Sequence, residues 1–196
     1  MVTGFDLDKF LQAEFVEHDE VFHATKEAVR DDFAALLRAC IDCARAGGKL
    51  IFFGNGGSAA DAQHLATELT VRYRRDRAPI AALALTTDSS ALTAIGNDLG
   101  FEQLFARQLR ALGRKGDVAI AISTSGRSAN IIEALKAARE MDLITAGFSG
   151  GDGGAMKSLA APLLIVPSTT TARIQEMHIM LGQMLCGALE ISLGLA

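Results

Sequence analysis

Two stretches of this chain carry residue types that do chemistry. The first is ISTSGRSAN, residues 122–130. Ser123, Thr124, Ser125 and Ser128 offer hydroxyls there, and Gly126 lets backbone come close to a ligand. The stretch follows an apolar run and opens a helical pattern expected from Arg127. The free N–H groups of that helix would point at whatever the hydroxyls hold. A phosphate monoester suits such a cradle with little need for a cation. Arg127 either adds charge or points to solvent. An N-cap with spare serines is the plain alternative, but this many hydroxyls exceed what capping requires.

The second stretch is FFGNGGSAADAQHLATELT, residues 52–70. An apolar run ends in a glycine-rich turn. Gly56 and Gly57 allow positive φ or tight approach, and Asn55 and Ser58 supply polar contacts. No GK[ST] follows and the spacing is not GxGxxG, so neither a Walker loop nor a dinucleotide fingerprint is present. In the helical pattern beyond, His64 and Glu68 stand at i and i+4 on one face, with Asp61 a turn earlier. Near the chain's end Gln175, Glu176 and His178 open another helix, on which Gln175 and Gln183 lie two turns apart and can share a face. An imidazole and a carboxylate with amide oxygens suit a borderline divalent ion such as Zn²⁺. The imidazole and carboxylate alone make a weak site, and a surface His–Glu pair is the plain alternative.

The elements that must position these residues follow from periodicity. Residues 6–46 recur apolar at three-to-four spacing and predict two helices, broken between His23 and Asp32 and ended by Gly47-Gly48. Beyond them, short apolar runs at 49–54, 79–85, 116–123, 143–150 and 162–167 predict strands. Helical patterns at 57–73, 89–98, 101–112, 127–140, 152–159 and 171–193 alternate with them. That alternation predicts an α/β three-layer sandwich on a five-stranded parallel, flavodoxin-like sheet, in one domain over 1–196. Ligands in such folds bind beyond the carboxyl ends of the strands, where both motif-bearing turns fall.

Composition narrows the function classes. The chain has 196 residues, 49% of them hydrophobic and 21% charged, with net charge −4, no Trp and one Tyr. No basic surface for nucleic acid is expected. No run reaches the roughly 20 apolar residues of a membrane helix. The start, MVTGFDLDKFLQAEF, carries acids early and reads as neither leader nor anchor. Cys40 and Cys43 form a CxxC within a helical pattern, which with Cys186 predicts buried reduced thiols and a cytoplasmic setting. The apolar terminal helices carry more hydrophobic surface than one small sandwich needs, so a homo-oligomer is expected.

The ordered set GNGGSAADAQHLATELTVRY, LTTDSSALTAIGNDLGFEQLFARQ, GDVAIAISTSGRSANI and RIQEMH resembles the sugar isomerase (SIS) domain family, and within it the phosphoheptose isomerases, over almost the whole chain. The resemblance implies isomerisation of sedoheptulose 7-phosphate to D-glycero-D-manno-heptose 7-phosphate through an enediol, for lipopolysaccharide heptose. It implies a tetramer with sites at subunit contacts, with 1–46 packing on the sandwich and the oligomer. Asn55, Gly56 and Gly57 would line the sugar-phosphate site, Ser123, Thr124, Ser125 and Ser128 would hold the phosphate, and Asn97 and Asp98 would meet sugar hydroxyls. Glu68 would be the acid/base, and Gln175 would touch substrate and metal. The second proton shuttle is left among Asp61, His64, Gln183 with a water, or a neighbouring subunit. The family's zinc would fall to His64, Glu68, Gln175 and a His two turns on, where this chain has Gln183. Either the Gln183 amide stands in, which is the preferred expectation, or His178 contributes from a different part of the helix surface. A SIS relative, the DnaA-binding initiator-associating protein, shares RIQEMH and lacks the later His, so a binding protein is the alternative. A sugar-phosphate sensor would need a DNA-binding segment, and residues 1–46 show no basic recognition helix.

Overall fold

The three-to-four spacing at the start of the chain folds as two helices, α1 (Leu7–Ala28) and α2 (Arg30–Arg45), parted by the single residue Val29. Asp6 caps α1 by accepting from the Lys9 N–H at 3.1 Å. The computed structural model describes residues 4–195. After the two helices come β1 (Leu50–Gly54), α3 (Gly57–Thr70), β2 (Ala82–Ala84), α4 (Ser89–Asp98), α5 (Leu104–Leu112), β3 (Val118–Ser123), α6 (Ala129–Glu140), β4 (Ile144–Gly150), β5 (Leu163–Val166) and α7 (Thr171–Ser192). Short 3-10 turns occupy Phe101–Gln103 and Gly154–Ser158.

The strands form one sheet in the order β2-β1-β3-β4-β5, and every pairing is parallel. Side chains alternate across it. Leu50, Phe52, Val118, Ile120 and Ile122 pack under α2, α3 and α7, while Ile51, Phe53, Ala119 and Ala121 pack under α5 and α6. Both faces are covered, which is why the strands read as continuous apolar runs. The N-terminal helices lie against β1, β3, β5 and α7. Among the described residues no helix is long and apolar enough to cross a membrane.

This order puts the reversal of strand sequence between neighbours β1 and β3. From β1 the chain enters α3 on one face, and from β3 it enters α6 on the other. The two helix starts therefore flank one crevice at the carboxyl ends of adjacent strands, the usual ligand position in open α/β sheets.

Several boundaries differ from expectation. β2 spans three residues rather than 79–85. Pro79 has no N–H to give, and the Ile80 N–H goes to the Leu69 carbonyl at 3.0 Å instead of to a ladder. α3 stops at Thr70 rather than at 73, because the Arg77 guanidinium takes the Glu68 carbonyl at 2.8 Å and the Leu69 carbonyl at 2.7 Å. α6 begins at Ala129, with Ser128 rather than Arg127 at its threshold. The element expected at 152–159 is a 3-10 turn over 154–158. Cys40, Cys43 and Cys186 are free and buried, as expected.

Candidate active site at the strand switch point

The loop from β3 into α6 is held in shape by its own hydroxyls. Ser123 Oγ accepts from the Gly126 N–H and Ser125 Oγ accepts from the Arg127 N–H, each at 3.2 Å. Gly126 has φ +63°, and a Cβ there would collide with the Gly153 carbonyl and stand 2.8 Å from Ser149 Oγ. Only glycine fits both the dihedral and the space. Arg127 donates to Asp152 at 2.6 Å and to the Ser125 carbonyl at 3.0 Å, so its charge is spent on bracing the loop. That guanidinium holds the Asp152 carboxyl down to about 2. A groove of about 870 Å³ borders the loop, lined by Thr124, Ser125, Ser168, Thr170, Glu17 and Glu20.

Beneath the loop, His178 is buried against Phe148, and its Nε2–H donates to the Ser149 carbonyl at 3.0 Å. Burial pushes this imidazole down to about 4, so it is neutral and steadies the end of β4.

Across the crevice, Gly56 precedes α3 with φ +56°. The Asn55 side chain meets Asn130 of α6 in a reciprocal amide pair, with N···O distances of 2.9 and 2.8 Å. Ser58 is 3% exposed and packs against Gly54, so it supports the end of β1 from below. Gln63 donates to the Thr86 carbonyl at 3.1 Å, tying α3 to the loop beyond β2.

One to three turns along α3, His64 Nε2 faces Glu68 Oε1 at 3.0 Å, and Gln183 Nε2 of α7 lies 3.4 Å from the same His64 nitrogen. Asp61 sits a turn before them. Burial raises its carboxyl, against the lowering effect of His64, and its Oδ2 is enclosed with no hydrogen-bond partner. The arrangement sets an imidazole and two carboxylates along one helix that starts at the crevice, with an amide of α7 beside them. It can move protons at one end of a ligand whose anionic end sits in the β3–α6 loop.

The SIS domain family model matches residues 15–150. The phosphoheptose isomerase of Paramagnetospirillum magneticum is 60% identical over 92% of this chain and 94% of its own. The chain belongs to the phosphoheptose isomerase family of SIS-domain proteins. A phosphoheptose isomerase structure from Neisseria gonorrhoeae superposes with TM-score 0.89 at 44% identity, covering 95% of this chain and all of that one. The one from Francisella tularensis does so with TM-score 0.91 at 33% identity and the same coverage.

Measured against the residues that the family resemblance implied, the structure brings together Asn55, Gly56, Gly57 and the 123–128 loop around the crevice, and His64, Glu68 and Gln183 further along α3. Asn97 and Asp98 end α4, where they are exposed and bonded to each other at 2.6 Å. Gln175 packs against Gly57 at the start of α3, beside the crevice. α7 runs alongside α3, so eight residues of helix, about 12 Å, separate Gln175 from Gln183. His178 turns into the core and does not reach His64.

The family's zinc meets a poor donor set here. Zinc sites take four N, S or O donors, or three and a water. Among the described residues no group of three His, Cys, Asp or Glu side chains comes together. The strong donors here are His64 and Glu68 alone, and Gln175 and Gln183 can offer only neutral amide oxygens. These residues do not fit a resident zinc, and no step below runs through one.

Sequence reasoning missed two groups. Asn130 ends the ISTSGRSAN stretch, and a polar amide just inside the expected helix start was the available signal. Arg77 and Glu190 carried no signal, being 113 residues apart, yet they bond at 2.9 Å and brace the carbonyl end of α3 below Glu68.

Proposed function

We propose that this chain is an aldose–ketose isomerase interconverting sedoheptulose 7-phosphate and D-glycero-D-manno-heptose 7-phosphate, for heptose used in lipopolysaccharide precursors. One observation carries the reading. The hydroxyl-lined β3–α6 loop and the start of the helix bearing Glu68 and His64 flank the same strand switch point, in a chain 60% identical to a phosphoheptose isomerase.

The chemistry follows from that layout. The phosphate is a handle held at C7 by Ser123, Thr124, Ser125, Ser128 and the start of α6. The open chain then reaches along α3. Glu68 removes a proton from C1 of the ketose, the electrons of that C–H bond form the C1–C2 double bond, and O2 takes up a proton. Returning a proton to C2 while O1 loses its own gives the aldose. His64 touches Glu68, and Asp61 lies a turn away with its acidic proton favoured by burial. These two are the groups at hand for the hydroxyl protons.

The same reading makes the protein a cytoplasmic homotetramer with its sites at subunit contacts. The exposed Phe10, Leu11, Phe15 and Val16 on α1 and the free thiols support it. The DnaA-binding alternative is not favoured, since it gives no reason for the Glu68–His64 pair to sit beside a formed phosphate cradle. Incubating purified protein with sedoheptulose 7-phosphate, with and without zinc and chelator, and following the aldoheptose 7-phosphate by NMR tests the proposal. Turnover that survives chelation is expected. No turnover under either condition overturns it.

A further inference from the structure

We infer that Asn130 is a positioning residue of this site, acting through Asn55 to set the distance and register between the phosphate cradle and the helix that carries Glu68. The inference rests on the isomerase reading above.

The two residues are 75 apart in sequence and stand on opposite sides of the switch point. Asn55 lies in the turn between β1 and α3, two residues before the helix. Asn130 is the second residue of α6. Asn55 Nδ2 donates to Asn130 Oδ1 at 2.9 Å, and Asn130 Nδ2 donates to Asn55 Oδ1 at 2.8 Å. Each amide thus spends one N–H and one lone pair and keeps one of each. Asn130 is 2% exposed, whereas Asn55 is half-buried. The spare N–H and lone pair of Asn55 are therefore the ones open to the crevice.

Three consequences follow. Turning over one amide alone would set oxygen on oxygen and nitrogen on nitrogen, so the pair fixes which way Asn55 presents its free N–H. Asp at either position would oppose two acceptors, and Ser is too short to span the gap. A buried Asn130 without its partner would hold an unsatisfied amide, so the pair resists opening. The pair also joins the starts of the two helices that bear the two halves of the chemistry. A seven-carbon chain anchored at α6 must bring C1 and C2 to a carboxylate on α3. An error of about 1 Å in that reach costs on the order of a hundredfold in rate.

The test is a cycle of Asn55→Ala, Asn130→Ala and the double variant. The readouts are kcat and KM for sedoheptulose 7-phosphate, the inhibition constant of inorganic phosphate, and the side-chain amide signals of ¹⁵N-labelled protein. Asn130→Ala is expected to lower kcat/KM by about ten- to a hundredfold, mainly in kcat, with phosphate inhibition unchanged because the cradle is intact. If Asn130 acts through Asn55, the double variant is no worse than Asn55→Ala alone. Asn55's amide protons should also move to solvent-like positions in Asn130→Ala. Losses that multiply in the double variant, or a lowered melting temperature with kcat/KM unchanged, would make Asn130 a packing residue only and overturn the inference. Should the wild type fail to turn over the heptose phosphate, the isomerase reading falls. The amide spectrum then decides, because unmoved Asn55 signals in Asn130→Ala rule the clamp out and shifted ones uphold it.

Discussion

The two ends of the crevice are built in opposite ways. The phosphate end is a run of consecutive residues, 123–128, folded on itself by hydrogen bonds from Gly126 and Arg127 to hydroxyls two or three residues away. The proton-transfer end joins His64 and Glu68 of α3 to Gln183 of α7, residues 119 apart, and the His64 side chain is 46% exposed. The first end is shaped by its own loop, with Arg127 held to Asp152 from only 25 residues on. The second exists only once α7 has docked beside α3 and the Glu190–Arg77 pair has braced the end of α3. Binding geometry is thus local and stiff, whereas catalytic geometry depends on long-range packing.

The strongest way to break that contrast is to disable one end without the other. Glu68→Gln keeps the shape but cannot take a proton, so kcat should fall by about 10²–10⁴-fold with inorganic phosphate still bound. Near-normal turnover would remove Glu68 from the role of base.

The next largest effect should come from the brace. Glu190 is 1% exposed in its side chain. Burial raises its carboxyl, but the N–H groups of Tyr73 and Arg74 and the Arg77 guanidinium outweigh that and hold it below its ordinary 4.5. Its contribution to stability is complete above that value and is lost as pH falls through the lower folded one. Glu190→Ala leaves Arg77 buried and unpaired, and should cost about 3–5 kcal/mol in denaturant unfolding. Among molecules still folded, kcat should fall more than phosphate affinity. An equal loss at both ends would mean the brace serves the whole fold and the contrast is false.

Ser123→Ala with Ser125→Ala attacks the other end. Each hydroxyl orders the loop as well as facing the anion, and KM should rise by at least roughly 10–150-fold, the worth of one charged hydrogen bond. Unchanged affinity for a phosphate analogue would place the phosphate elsewhere.

The smallest effect on turnover is expected from Gln183→His. An imidazole beside His64 and Glu68 supplies the missing third strong donor, so zinc affinity, measured by competition with a chromophoric chelator, should rise. If it does not, with the fold intact, position 183 does not face the cluster as the 3.4 Å contact implies.

How much of this was legible beforehand depended on sequence distance. Every strand and α-helix was found from apolar pattern, and the errors were at ends and in the 3-10 turn expected as a helix at 152–159. β2 shrank because Ile80 bonds to α3, and α3 shortened because Arg77 claimed its last carbonyls. Neither partner is near in sequence. The hydroxyl loop and the His64–Glu68 pair were readable because three- and four-residue spacings fix geometry by themselves. That Gln175 of α7 packs against Gly57 at the start of α3 was not legible, because spacing along one helix does not say which part of a neighbouring helix each turn meets.

The sequence by itself therefore determined the layers, the phosphate cradle and the facing of His64 on Glu68. These follow from hydrophobic period and from hydrogen bonds within a few residues, to which packing adds contacts such as Arg127–Asp152. Only the tertiary structure decided that Asn55 locks to Asn130, that Gln183 reaches His64, that Gln175 meets Gly57, and that Glu190 anchors the base's helix. Each of those contacts depends on where separate elements come to rest, and the packing of the whole core sets that.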